Sequence, residues 1–163
     1  MKKIFILFLV LFFNSVFAQN LDEITKNVPK MGSIKCRFTQ EKYIKNLEKP
    51  LISKGDFEYI ENKGVYFYTK YPYQSVTDYT NEKNNQINDI VNAVSSKKYS
   101  KLEREFNFEY GGNITSWNLK MTPKENSSAR NFIVSVSIGG TDYINKINIV
   151  QKNGNKTIIW FTK

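Results

Sequence analysis

Hydrophobic and polar positions alternate with a period of two along most of the chain, a pattern that predicts β-strands. Four strands are predicted in the first half, at Ser33–Tyr43, Leu51–Ile60, Val65–Tyr71 and Gln74–Tyr79. Further strands are predicted in the C-terminal part, around Trp117–Met121, Phe132–Ile138, Ile144–Val150 and Thr157–Thr162. The strand around Phe132–Ile138 should have four apolar side chains on one face, namely Phe132, Val134, Val136 and Ile138. About nine strands joined by short turns, such as Asn153-Gly154, indicate antiparallel meanders.

Three segments follow the helical period instead. A short N-terminal helix is predicted from apolar residues at steps of three and four, namely Leu21, Ile24, Val28 and Met31. After a polar turn at Asn81–Asn85, an amphipathic helix is predicted from Asn85 to Ser96. Its apolar stripe consists of Ile87, Ile90, Val91 and Val94. A third helical piece is predicted at Tyr99–Phe106.

The hairpin between Phe57 and Tyr73 is unusually aromatic. Its two strands meet at a turn at Asn62-Lys63-Gly64 and contain seven aromatic residues, which are distributed over both faces. A sheet that is apolar on both faces must be covered on both, by its own chain or by something that the protein binds. A two-sided core whose tyrosine tips reach water also explains the pattern.

Together these elements predict an α+β, mainly β fold in which a curved antiparallel sheet forms a half-open barrel covered by short helices. A single domain is predicted at 19–163. Residues 1–18 have the pattern of a secretory signal peptide: Lys2 and Lys3, an apolar run Ile4–Phe13, and Val16-Phe17-Ala18 at the cleavage site. The apolar run is too short to span a bilayer, which needs about twenty residues. We therefore expect a periplasmic protein.

Composition excludes several kinds of chemistry. The chain has no histidine, so it cannot form a Ser-His-Asp triad or the usual zinc ligand sets. Its single cysteine, Cys36, lies in an alternating apolar run and is predicted to be a buried small hydrophobe. The net charge of +9 comes from dispersed lysines, which favours a solvated basic surface over nucleic-acid binding. We predict no catalytic residue, no metal and no cofactor, although a lysine or carboxylate site stays open.

Several short blocks then resemble a known family. They are Phe38-Thr39-Gln40, the run Leu47–Phe57, Gly64–Tyr68, Tyr71-Pro72-Tyr73, Leu102–Phe106, Trp117–Pro123 and Asn153–Thr157. In this order they resemble the LolA-type periplasmic lipoprotein carriers, and more closely the shorter LolA-related proteins. The resemblance covers essentially all of the chain after residue 18.

The resemblance implies a half-open β-barrel with helices as a lid over a hydrophobic cavity. Such carriers take lipoproteins from an inner-membrane transporter to an outer-membrane acceptor. The expected partners are therefore an acylated lipoprotein or another lipid as cargo, an inner-membrane exporter as donor and an outer-membrane acceptor, with the chain acting as a monomer. The longer carriers latch the lid with an arginine before a proline. Here the matching stretch is Ile60-Glu61-Asn62-Lys63-Gly64, so this latch is not carried over.

The candidate cavity lining comes from the strand faces and the stripe of the Asn85–Ser96 helix, which we expect to be a movable cover. The lining residues are Phe38, Phe57, Val65, Phe67, Ile87, Ile90, Val91, Val94, Trp117 and Leu119. Plain core packing explains each of them equally well. Two other functions stay open: an adaptor that recruits a protein through its sheet and carries no lipid, and a small hydrolase, which the absent motifs disfavour.

Overall fold

The computed structural model describes residues 21–80 and 86–163, which form nine strands, three α-helices and one 3-10 helix. The helices are α1 (Leu21–Asn27), α2 (Gln86–Ser96), α3 (Ser100–Glu105) and the 3-10 helix Ser128–Asn131. The first strands are β1 (Ile34–Tyr43), β2 (Leu51–Ile60), β3 (Gly64–Tyr71) and β4 (Ser75–Asp78). The others are β5 (Phe106–Asn113), β6 (Ser116–Pro123), β7 (Ile133–Gly140), β8 (Ile144–Gln151) and β9 (Lys156–Thr162). The predicted signal peptide and the polar turn at 81–85 lie outside the described residues.

All nine strands belong to one antiparallel sheet with the order β4-β3-β2-β1-β9-β8-β7-β6-β5. The last strand, β9, pairs with the first, β1, so the two ends of the described chain meet at the centre of the sheet. Strands β4 and β5 are the two outer strands, and the sheet therefore stays open. The predicted fold class, a mainly β protein with a curved antiparallel sheet and short helices, is confirmed.

The aromatic hairpin is β2 and β3, and its turn explains its register. Asn62 and Gly64 have positive φ angles of 64° and 133°, a conformation that Asn and Gly adopt more readily than other residues. The turn places Phe57 opposite Phe67, and both side chains are buried on the inner face. On the outer face Tyr66 stacks on Tyr68 with ring centroids 6.2 Å apart. The hairpin is therefore aromatic on both faces, as the sequence predicts.

Strand β7 corrects one prediction. Phe132 and Val134 are 64% and 49% exposed, whereas the side chains buried on the inner face are Ile133, Val136 and Ile138. The pairing with β8 shifts register between Ile133 and Ser135. A β-bulge adds a residue to one strand, so the alternation changes face at that point. The prediction that Phe132 and Val134 share a face with Val136 and Ile138 is therefore wrong.

The segment around Phe106 also differs from the predicted helical piece. Helix α3 ends at Glu105, and Phe106 begins β5, a strand that the sequence pattern did not locate. Phe106 and Phe108 are buried on its inner side. No helix in the described parts of the chain is long and apolar enough to cross a membrane. The helices instead pack their apolar sides against the inner face of the sheet, in one core cluster with the strand residues.

Candidate functional site

The inner face of the central strands forms an aromatic floor, which we define as Phe38, Phe57, Phe67 and Phe161. Phe38 and Phe67 meet edge to face with ring centroids 4.9 Å apart. Phe57 lies 5.1 Å from Phe67 and 4.4 Å from Phe161. The four rings come from β1, β2, β3 and β9, which are neighbours in the sheet. All four are at most 6% exposed, so the floor is fully covered.

Helix α2 is part of the cover. Its residues Ile90, Val91 and Val94 are buried in the same cluster as the floor, and Ile87 is partly buried against it. Several polar contacts connect α2 to neighbouring helices and loops. The Met31 N–H donates to the Ser95 carbonyl at 2.9 Å, and Lys97 Nζ donates to the Thr25 carbonyl at 2.8 Å. Asp89 of α2 forms a 2.7 Å salt bridge with Lys101 of α3.

The ten residues predicted to line the cavity all belong to, or pack against, one core cluster. Nine are buried and Ile87 is half-buried. Burial fits both cavity lining and core packing, so the lining role stays a prediction. Phe161 and Tyr59 were missed, although each continues an alternating run, Ile159–Phe161 and Phe57–Tyr59, that places it on the inner face.

A small enclosed space of about 10 Å³ lies beneath α2. The residues around it are Met31, Ile34, Cys36, Phe57, Tyr59, Val91, Ser95, Tyr143, Ile144 and Phe161. This volume has room for about one water, whereas ligand pockets usually enclose roughly 300–1,000 Å³. The expected hydrophobic cavity is therefore filled by side chains in this structure, an arrangement that we call the closed form. A ligand of lipid size can enter this space only if α2 or its neighbours move away.

Two polar side chains border this enclosed space. The Tyr59 hydroxyl is buried and makes no hydrogen bond of normal geometry. Burial raises the pKa of Tyr59, Glu61 raises it further, and the Ser95 hydroxyl lowers it in part. Ser95 itself is buried and its hydroxyl donates to the Met31 sulfur at 3.8 Å. A buried hydroxyl without a partner typically costs about 1–3 kcal/mol, so Tyr59 is a polar group that a ligand atom could satisfy.

Cys36 also borders the space, and burial raises the pKa of its thiol to about 11. Because only the thiolate reacts, a pKa raised from the ordinary 9.0 lowers the thiolate fraction at pH 8 by about 100-fold. We expect iodoacetamide to label Cys36 about 100-fold more slowly than a free cysteine at pH 8, with the rate rising about tenfold per pH unit towards 11. Unfolding in guanidinium should restore the ordinary rate. Cys36 is half-buried and also lines an open recess on the other side, so fast labelling of the folded protein would show that its thiol is not shielded as the raised pKa requires.

A second, open recess lies between α2, α3 and the 3-10 helix. It has a volume of about 410 Å³ and an apolar floor that includes Ile90, Leu102 and Phe106. The Asp89–Lys101 salt bridge and the exposed Phe132 lie along its sides. Since Ile90 also belongs to the buried stripe of α2, this recess borders the cover.

The inner face of the sheet and the space beneath α2 contain few polar groups. No group of three or more potential metal ligands occurs within the described ranges, 21–80 and 86–163. The inner face carries aromatic and aliphatic side chains, with Tyr59 and Ser95 as polar exceptions next to the enclosed space. Such a surface can bind apolar groups by burial.

Comparisons with known proteins find similarity among solved structures but not among sequences. No family model matches the chain, and no curated protein matches it. A LolA superfamily protein from Nitrosomonas europaea is similar among solved structures, with a TM-score of 0.44 and 7% sequence identity. The match covers 90% of this chain and 91% of the other.

Proposed function

We propose that this protein is a periplasmic carrier that shields the acyl chains of a lipoprotein or another lipid beneath helix α2 during transfer from inner to outer membrane. The observation that carries the proposal is the apolar contact between one amphipathic helix and an aromatic floor on the inner face of an open sheet. The donor in this proposal is an inner-membrane exporter, and the acceptor lies at the outer membrane. The compartment rests on the signal-peptide pattern of residues 1–18.

The size of the hydrophobic effect explains why such a carrier is needed. Each buried CH₂ contributes about 0.8 kcal/mol, so a chain of about sixteen carbons prefers an apolar site to water by about 13 kcal/mol. A lipid therefore leaves a membrane for water extremely slowly and needs a soluble shield. The shield must also release its cargo, which requires that the closed, empty form be nearly as favourable as the loaded one.

Helix α2 meets this requirement because it can exchange places with an acyl chain. In the closed form Ile90, Val91 and Val94 cover apolar surface that a chain would otherwise cover. Hydrophobic contacts have no directional requirement, so the floor gains similar free energy from the helix and from a chain. The surface salt bridge Asp89–Lys101 contributes about 0–1 kcal/mol and does not prevent the exchange.

The adaptor function has one structural feature in its favour. Strands β4 and β5 are the two outer strands of the sheet, and an outer strand can recruit an extended peptide. Strand β4 has only four residues, and short outer strands limit such pairing. Strand β5 contains the consecutive glycines Gly111 and Gly112, which weaken strand pairing. Carriage of lipid therefore has the stronger support.

The proposal is tested by purifying the protein from the periplasm of a bacterial host without detergent and identifying bound lipid by mass spectrometry. We expect acylated species in a defined ratio to protein, because the floor should acquire cargo from membranes during expression. A periplasmic protein of similar size that binds no lipid is the control. An empty protein that also fails to bind a fluorescent fatty acid would leave the adaptor function standing.

A further inference from the structure

The exposed apolar side chains of the protein collect at one end of the sheet. We call this end the hairpin rim, and it consists of the connections 44–50, 72–74, 124–132 and 152–155. Nine large apolar side chains are exposed among the described residues. Eight lie in the rim or within two residues of it: Leu47, Leu51, Ile52, Tyr71, Tyr73, Val76, Phe132 and Val134. The ninth, Ile114, lies at the opposite end.

Positive charge accompanies these side chains in two neighbouring connections. The segments 42–52 and 150–157 contain five lysines and one glutamate, a net charge of +4 within a chain of +9. The lysines are Lys42, Lys45, Lys49, Lys152 and Lys156. Within the described residues none of the five forms a salt bridge, whereas six other lysines do, for example Lys35 with Glu58 and Lys101 with Asp89. Lys156 Nζ lies 4.4 Å from the centroid of the Tyr43 ring. The other four lysines are exposed, so their charge is left for an external partner.

The two connections form one ordered platform. The Lys45 N–H donates to Asn155 Oδ1 at 2.9 Å, which joins the β1–β2 connection to the β8–β9 connection. The Leu47 N–H donates to the Ile44 carbonyl at 3.0 Å, and Asn46 has the left-handed φ of 73° that this tight turn needs. The backbone thus holds Leu47 outward, with 53% of its surface exposed. Fixing these side chains in advance reduces the entropy lost on binding.

We propose that the hairpin rim docks on an anionic phospholipid surface. Leu47, Leu51 and Ile52 would enter the boundary between head groups and acyl chains, while the lysines lie against lipid phosphates. Exposed aliphatic side chains flanked by lysines are the combination that binds anionic membranes. A protein partner is less suited, because protein interfaces are depleted in lysine and concentrate their binding energy in Trp, Tyr and Arg. Residues 44–54 contain no Trp, Tyr or Arg. The exposed tyrosines of the rim, Tyr71 and Tyr73, also suit a membrane, because Tyr is enriched where head groups meet acyl chains.

This docking does not depend on whether the interior carries lipid, but it would orient a carrier. Phe132 lies in the rim and also lines the open recess beside α2. A docked rim therefore places that recess next to the membrane. Membrane binding and acyl-chain uptake are separate measurements, so failure of either one is distinguishable from failure of the other.

The test is co-sedimentation of the protein, without residues 1–18, with vesicles of phosphatidylcholine alone or mixed with phosphatidylglycerol. We expect binding to the mixed vesicles only, weakening as salt is raised. The double substitution Leu47→Ser and Leu51→Ser should weaken binding by about tenfold or more, because two leucines lose their burial in the membrane. The control Ile114→Ser removes an equally exposed aliphatic side chain at the opposite end and should leave binding unchanged. Equal binding to neutral vesicles, or to none, would overturn the proposal.

A matched pair of charge variants separates the rim from general electrostatics. Lys45→Gln with Lys49→Gln should weaken binding about fivefold for each lysine removed. Each lysine near an anionic membrane strengthens binding by about that factor. Lys63→Gln with Lys98→Gln makes the same change in net charge at exposed sites outside the rim and should have little effect. Equal losses in both pairs would refute a rim-specific site. Capture of an acidic protein without vesicle binding would also refute membrane docking.

Discussion

A disulfide that joins α2 to the segment before β1 should abolish acyl-chain binding by the oxidised protein. Met31 and Ser95 suit this bond, because the Met31 N–H donates to the Ser95 carbonyl at 2.9 Å and their side chains touch. The variant is Met31→Cys with Ser95→Cys, in a Cys36→Ala background that removes the native thiol from the same space. With α2 fixed, the space of about 10 Å³ grows only by the volume that the shorter side chains free, and it stays far below that of a ligand pocket. Affinity for a fluorescent fatty acid, measured by titration, should fall at least about 100-fold.

The reduced form of the same variant is the control for this experiment. Addition of a reductant should restore binding to the level of the Cys36→Ala protein, because the side-chain changes are then present without the constraint. Circular dichroism should show the same fold in both redox states. If the oxidised protein bound the fatty acid as tightly as the reduced one, α2 would not be the cover, and the carrier mechanism proposed here would be wrong.

The second large effect concerns the stability of the floor. Replacing Phe67 by alanine should lower the free energy of unfolding by about 3–5 kcal/mol, the usual cost for a buried phenylalanine. The ring touches Phe38, Phe57 and Tyr79 with centroid distances of 4.9, 5.1 and 5.8 Å, so its removal affects several strands at once. Urea denaturation followed by tryptophan fluorescence measures the difference.

Tyr73→Ala is the matched control, because it removes an aromatic ring next to the same hairpin that is 77% exposed. Its effect on the free energy of unfolding should stay within about 0.5 kcal/mol. A loss below about 1 kcal/mol for Phe67→Ala would show that the closed form is not packed at the floor. The stability of the empty protein would then have to come from elsewhere.

Much of the sheet could be predicted because its strands alternate regularly. The prediction Gln74–Tyr79, for example, differs from the observed Ser75–Asp78 by a residue at each end. Strand β5 was not predicted because it follows α3 directly and because Gly111 and Gly112, near its end, add nothing to the alternation of polar and apolar residues. The prediction of the face on which Val134 lies was wrong for another reason. The bulge depends on pairing with β8 and not on the sequence of β7 alone.

The candidate site was predictable in part for the same physical reason. The stripe of α2 is a local pattern, so its residues could be selected before their surroundings were known. The enclosed space is not local, because Met31, Tyr59 and Ser95 reach it from three elements far apart in the chain. Sequence periodicity likewise predicts that Phe57 points inward. It does not predict whether a helix already fills the space above the ring. That difference decides between an open cavity and the closed form.

Photo-crosslinking can show whether an acyl chain occupies the space between α2 and the aromatic floor. The protein is mixed with a fatty acid that carries a diazirine near its terminal methyl group, irradiated, digested and mapped by mass spectrometry. We expect adducts on α2 and on the inner faces of β1, β2, β3 and β9, and we expect them to disappear when excess unlabelled fatty acid is added. Adducts confined to the outer surface, or none under saturating conditions, would contradict it.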